Sequence, residues 1–474
     1  MKRALQLGAA LTTALVLAGC ASVNFDQTLQ DTNANTASFT QGKVQLSRNQ
    51  EQNRARDRLA DELLAKPLSQ DGAVQLALAN SPAFQALLAD GWAELAAANQ
   101  TGRIANPVFT FERMRTGDEL ELGRLLSFGL LDLLTLPRRL AISRSQTALA
   151  RVQLSTGVVG QVTQVRQAWV RAVAAQQTLA YAVQVNTAAQ AGAELAKRMQ
   201  QVGNFNKLQR LRQQAYYADS AAQLASSQHG ATAAREDLVR QLGLTDAQAA
   251  RLQLPERLPA LPKEALSPDR VSAASTAQRL DVQVARAQLD VAGQSQGLNL
   301  LTSLVDVELG IRRDTVFDSA AGTRTPRRGF ELDIRLPIFD WGSARRERMN
   351  AQSLAAANRY ESTVRNAASQ LRESYSAYRT AYDLARHYRD EIVPLRERMA
   401  EENVLRYNGM LIGVFELLAD TRDQIGSVSA AISAYQQFWL ADAALAATIT
   451  GKPMATGMAP PAMSGAGAAA EAGH

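Results

Sequence analysis

From residue 69 to 103, apolar side chains recur at helical spacing: Val74, Ala77 and Leu78, then Leu87, Leu88, Trp92 and Leu95. The spacing predicts an Ala-rich helix. Asn80-Ser81-Pro82 breaks it early, because proline disfavours helix in the residue before it, and Asn106-Pro107 ends it. Two strand-like runs follow, 108–114 and 119–126, joined by Thr116-Gly117-Asp118. A helix is then predicted over 137–201. In the second half the strand pattern is cleaner. Val305, Val307, Leu309 and Ile311 alternate with Asp306, Glu308, Gly310 and Arg312. Phe330, Leu332, Ile334 and Leu336 alternate with Glu331, Asp333 and Arg335. A second long helix is predicted over 343–407. Either long helix would measure about 95 Å, far more than a compact soluble domain needs.

The plan is written twice. Arg138-Arg139 and Arg345-Arg346 lie 207 residues apart, Gly203 and Gly409 lie 206 apart, and Gly243 and Gly451 lie 208 apart. Each half reads helix, strand, strand, long helix, turn, helix. One strand face is apolar and the other charged, which suits a membrane barrel with lipid outside and water inside. A half-buried soluble sheet gives the same period. Four strands cannot close a barrel around a channel, whereas three chains would supply twelve. The domains expected are a first repeat at 69–250, a Pro-rich linker at 251–268 and a second repeat at 269–452.

The ends of the chain add an address. Lys2 and Arg3 precede an apolar run up to Ala18, too short for a stable membrane span, so residues 1–19 read as an export leader. The run ends Leu17-Ala18-Gly19-Cys20, which is similar to a lipobox, and Cys20 is the only cysteine of 474 residues. It is the expected attachment point of a diacylglycerol and an N-acyl chain, each buried CH2 contributing about 0.8 kcal/mol to anchoring. Ala21 follows, where an Asp would direct retention at the inner membrane, so the outer membrane is the expected address. Residues 20–68 are expected as a tether and equatorial segment, with 21–50 extended because they are polar and rich in Asn, Thr and Gln. The tail at 453–474 is rich in Ala, Gly and Pro and reads as disordered. Its Met454, Met458, Met463 and His474 could ligate Cu(I), or could be plain tail residues.

Composition narrows the function. The formal charge of +6 falls to +4 without Lys2 and Arg3, and the charges are interspersed, so no nucleic-acid footprint is visible. A single cysteine excludes a disulfide framework within one chain. His229, His387 and His474 are far apart and form no metal motif. No nucleophile elbow or phosphate loop is present, so an enzyme is not expected. No cofactor or metal is expected beyond the covalent lipid.

The string Leu336-Pro337-Ile338-Phe339-Asp340-Trp341-Gly342 resembles the strand-to-helix turn of the TolC family of outer-membrane efflux proteins. In it Pro337 would end ladder pairing, Phe339 keeps the family aromatic, Asp340 could cap the new helix, and Gly342 would permit a tight bend. Leu136-Pro137-Arg138-Arg139 is a weaker first-half match. Ala77-Leu78-Ala79-Asn80-Ser81-Pro82 is similar to the family's helix opening, and Arg279-Leu280-Asp281 resembles its Arg-Pro-Asp with the Pro lost. The resemblance spans roughly 69–451. It implies a twelve-stranded trimeric barrel continuing into a twelve-helix periplasmic tunnel, a homotrimer working with a periplasmic adaptor and an inner-membrane pump.

The resemblance also assigns roles to the two reversals. The first is Val202-Gly203-Asn204-Phe205-Asn206, followed by Leu208 and Leu211; the second is Tyr407-Asn408-Gly409-Met410, followed by Val414 and Leu417. Glycine is expected at positive φ in both. Such tips would meet the adaptor, although these residues could equally seal their own hairpin. Leu418-Ala419-Asp420-Thr421-Arg422 exchanges the acid and alanine of the family's string, shifting the acid about 100° around the helix. Phe415, Glu416, Asp420 and Arg422 are the gate candidates, with a plain surface role as the alternative for each. The hinge is expected around Gly409 and Gly413. Drug efflux, copper-type metal efflux and type I secretion would share this architecture, and a lipid-anchored coiled-coil spacer is the reading without a pore.

Overall fold

The computed structural model describes residues 24–272, 278–302, 306–335 and 338–454. The expected leader, Cys20, Val305, Leu336, Pro337 and most of the tail lie outside the described residues. The described residues form twelve α-helices and four strands. They are α1 (Phe25–Thr40), α2 (Gln50–Leu63), α3 (Gln70–Asn80), α4 (Pro82–Thr101), β1 (Val108–Thr116), β2 (Glu119–Gly129), α5 (Leu130–Gln201) and α6 (Lys207–Leu242). After a short α7 (Asp246–Arg251) and α8 (Pro268–Ser272) come α9 (Leu280–Thr302), β3 (Asp306–Asp318), β4 (Thr323–Arg335), α10 (Ser343–His387), α11 (Val393–Asn408) and α12 (Val414–Thr450). Two compact units result, and each takes chain from both sequence repeats.

The first unit draws on residues up to 34, 87–156 and 280–366. Its sheet is antiparallel with order β1-β2-β3-β4, so the two hairpins pair through β2 and β3. All four strands outrun their sequence-predicted ends, β3 to Asp318 and β4 back to Thr323. Alternation fails over these added residues because arginines replace apolar side chains on one face, and pairing continues without it. Beside the sheet, α4 and the start of α5 approach closely at Gly102, where a Cβ would lie 3.0 Å from that of Ser143. The ring of Phe25 stacks on Trp92 at 5.7 Å.

The long first-half helix begins at Leu130, seven residues before the expected start at Pro137. Residues 130–136 are mostly leucine, a good helix former, and Asp132 suits a helix N-terminus. Arg139 pairs with Asp132 at 2.7 Å, closing the turn around Pro137. The 72-residue helix is about 108 Å long. Its second-half counterpart is interrupted by a π turn at Tyr388–Ile392. Pro394 lacks a donor and its ring crowds the carbonyl four residues back, which a widened turn relieves.

The second unit, residues 35–86, 157–279 and 367 onward, holds the larger core. Val158, Val162, Val165, Trp169 and Val173 form a buried stripe on α5 at helical spacing. Tyr378, Tyr382 and Phe438 cluster on α10 and α12, with ring centroids 5.6–5.7 Å apart. The expected linker is pinned to them. Leu252, Leu254, Leu258 and Leu261 are buried, and each such burial contributes about 1.5–3 kcal/mol. Tyr382 donates to the carbonyls of Pro262 and Lys263, and Trp439 to that of Pro259. The break at Ser81 also has a tertiary reason. Asn80 Nδ2 donates to the carbonyls of Leu242 and Gly243, filling acceptors at the end of α6.

The extended tether expected over 21–50 is a correction. Residues 25–40 are helical, with Thr28, Thr32, Thr36 and Thr40 buried four apart beside Leu29 and Phe39. A threonine methyl packs well enough to build a helix face that hydropathy alone marks as polar.

Candidate functional site: two strand faces and two hairpin tips

Successive strand residues point to opposite sides, so the register sorts side chains by face. Phe109, Leu126, Ile311 and Phe330 are Cα partners across the sheet, and Leu309 with Leu332 and Val307 with Ile334 extend the same face. Phe330 is 81% exposed and Ile311 61%, Phe109, Leu126, Leu332 and Ile334 are also open, and Val307 and Leu309 are half-buried. On the opposite face Arg312 pairs with Glu112 at 3.0 Å, Asp314 at 2.9 Å and Glu331 at 3.5 Å. One side of the sheet is therefore apolar in the residues nearest the helices, and the other is polar and internally ion-paired. The outer strands β1 and β4 each have one unpaired edge within the chain.

After β4 the chain turns through Ile338-Phe339-Asp340-Trp341-Gly342. Gly342 has φ +70°, as the expected bend requires. Asp340 Oδ1 accepts from the Gly342 amide at 2.8 Å, so it closes the turn ahead of α10 rather than capping the helix directly. Phe339 is 99% exposed, with Ile338 and Trp341 also open.

At the first tip Gly203 has φ +82°. Asn206 and Gln209 cap α6 reciprocally, and Phe205 is buried beneath the turn. Leu208 and Leu211 are exposed, as is Val202. The second tip differs from expectation. Gly409 has φ −78°, and the left-handed residue is Met410 at +59°. A glycine at the end of α11 can stay helical when the next residue takes the bend. Met410 and Leu411 stand out from this tip, whereas Val414 and Leu417 are half-buried. Gly413 precedes α12 with φ −82°.

The gate candidates sit on the first turns of α12. Glu416 is exposed, and of Phe415 only its place on α12 is described. Asp420 accepts a hydrogen bond from the side-chain amide of Asn403 on α11. Arg422 donates to Gln213 at 3.1 Å and lies 4.3 Å from the Tyr216 ring centroid, both on α6. Asp420 and Arg422 thus hold α12 to both neighbouring helices. Asn403, Gln213 and Tyr216 carry no sequence signal that marks them as the partners of Asp420 and Arg422.

A cavity of about 490 Å³ in the same unit is lined by Phe39, Asp71, Arg166, Trp439 and Asp442 among others. Arg166 donates to the Phe39 carbonyl at 2.6 Å and covers its ring at 4.7 Å. Burial pushes the Asp442 carboxyl up to about 6, against the opposing pull of Arg166. Burial likewise lowers Arg166, with Asp71 and Asp442 acting the other way.

The sequence model of the outer membrane efflux protein family matches residues 272–407. None of the curated proteins matches the sequence. Solved structures match most of the chain. The CmeC outer membrane channel of Campylobacter jejuni is 13% identical with a TM-score of 0.66, over 86% of this chain and 89% of that one. The MtrE outer membrane channel of Neisseria gonorrhoeae, in its open state, is 18% identical with a TM-score of 0.59, over 84% and 89%. VceC of Vibrio cholerae, an outer membrane protein, is 15% identical with a TM-score of 0.62, over 84% and 96%. These identities speak to the fold, and the matched segment to the lineage. Residues 272–407 are thus similar in sequence to outer membrane efflux proteins, and most of the chain shares the fold of the outer membrane channels CmeC and MtrE.

Proposed function

We propose that three copies of this chain close one barrel in the outer membrane and continue it as a helical duct through the periplasm, serving as the exit of an efflux system. The observation that carries this reading is the four-stranded sheet with an exposed apolar face, an ion-paired opposite face and two open edges. In water such a sheet would be an aggregation site. With β4 of each copy paired to β1 of the next, twelve strands leave no edge and turn the apolar face to lipid. A lipid-anchored spacer would have no use for it. Phe339 and Trp341, open beside the strand ends, suit the aromatic girdle of a membrane interface.

In this reading Cys20 carries the lipid and brings the chain to the outer membrane. The tips at Gly203 and Gly409 receive a periplasmic adaptor, which couples the duct to an inner-membrane pump; Leu208, Leu211, Met410 and Leu411 give it apolar contact. The start of α12 is the gate, held closed by Asp420 on Asn403 and Arg422 on Gln213 and Tyr216. Conductance of the purified trimer in a planar bilayer tests this. Alanine at Phe415, Asp420 and Arg422 together raises conductance severalfold; unchanged conductance overturns the gate assignment.

A further inference from the structure

The two faces of the sheet differ in charge as well as in hydropathy. Three neighbouring rows on the apolar side carry arginine near the hairpin turns. Arg124, Arg313 and Arg328 are direct Cα partners in one row, beside Phe111. Arg113 lies in the next row, and Arg115 and Arg324 in the one after. Every carboxylate placed on the described strands falls on the opposite face, Glu112, Glu121, Glu308, Asp314, Glu331 and Asp333 among them. There Arg312 and Arg327 find acidic partners. On the arginine band, Arg124 meets only the Thr315 hydroxyl among the described residues, at 2.6 Å, and its Nε is buried with no acceptor among them. Arg324 lies over the Phe317 ring. Arg113, Arg115, Arg313 and Arg328 are exposed, with no carboxylate partner among the described residues.

Like charges directly opposite in a sheet destabilise it, so a row of three arginines calls for anions from outside the chain. The position of the band says what kind. It adjoins Phe109, Ile311 and Phe330 within one step of the register, on the side of the sheet nearest the turns. Guanidinium groups grip phosphate with paired, charge-assisted hydrogen bonds. An anion held next to an apolar belt is a lipid headgroup, since a soluble anion gains nothing from the belt. We propose that this band binds anionic, phosphate-bearing lipid headgroups of the outward leaflet, forming a fixed lipid collar around the barrel. The proposal rests on the barrel reading, which sets the apolar face toward lipid.

The purified trimer in maltoside detergent would be titrated with phosphatidic acid, phosphatidylcholine or inorganic phosphate, and retained lipid counted by native mass spectrometry. The trimer retains phosphatidic acid over phosphatidylcholine, and equimolar inorganic phosphate does not displace it. R313Q/R324Q/R328Q weakens retention at least about tenfold, as expected for lost charge-assisted bonds. R327Q, one residue away on the other face, leaves it unchanged. If the triple variant does not assemble, R328Q against R327Q carries the same comparison. Equal retention of phosphatidylcholine, displacement by inorganic phosphate, or loss in R327Q alone overturns the collar while leaving the duct intact. A wild-type chain that forms no trimer overturns the duct first.

Discussion

Asp442 shows what a single buried side chain does in this fold. Its carboxyl faces Arg166 and shares a cavity with Asp71, and burial raises it from 3.8 to about 6. A raised carboxyl means the folded chain holds that proton more tightly than the unfolded chain. Its contribution to stability is therefore full below pH 3.8 and is lost as pH rises through 6. A shift of about two units corresponds to roughly 3 kcal/mol. Asp442→Asn removes this component, so between pH 7 and pH 4 the wild type's apparent melting temperature gains relative to the variant's. Parallel pH profiles for the two proteins would contradict it. Arg166 and Asp442 were not legible in the sequence, because the chain between them gives no hint that they meet. Gly203 and Gly342 were, since tight turns at positive φ admit few other residues. Gly409 was misjudged: Met410 took the bend, a choice made by backbone closure and invisible to composition.

At the scale of elements, periodicity found the long helices, both hairpins and the β pairs. It stopped where another rule took over. Strands β3 and β4 continue past their alternating stretches because cross-strand pairing extends into the arginine band. Helix α1 escaped notice because its buried side is largely threonine. The packing of the linker escaped because its leucines are too few and irregular to show a period, although Leu261 joins Tyr378 and Tyr382 far along the chain. The role of α1 can be tested in the second unit, where Thr36 and Phe39 are buried and the Phe39 carbonyl accepts from Arg166. A charge at these positions costs several kcal/mol unless the helix end detaches. Thr36→Glu with Phe39→Glu therefore speeds tryptic cleavage at exposed Lys43 at least about tenfold. Cleavage at the wild-type rate would show that this end of α1 is not held by its buried face.

For the whole molecule, the duplicated plan was written plainly in the glycine and arginine offsets, and the family segment at 272–407 lies in the better-kept half. What the sequence could not show is that the two hairpins join through β2 and β3, leaving β1 and β4 as the free edges. That arrangement makes assembly a matter of satisfying backbone groups, since unpaired edge donors and acceptors cannot persist in lipid. In the proposed barrel three chains would satisfy them all at once. The most direct test is disulfide cross-linking between edges in the otherwise unaltered chain, whose single native cysteine, Cys20, has its sulfur in a thioether once lipidated and forms no disulfide. A cysteine at Thr110 of β1 would be paired in turn with one at Arg327, Gly329, Glu331 or Asp333 of β4, and the membranes oxidised. Covalent dimers and trimers, with nothing larger, are predicted at one register. No cross-link at any of the four positions, or a ladder running past three chains, would contradict a barrel closed by three copies.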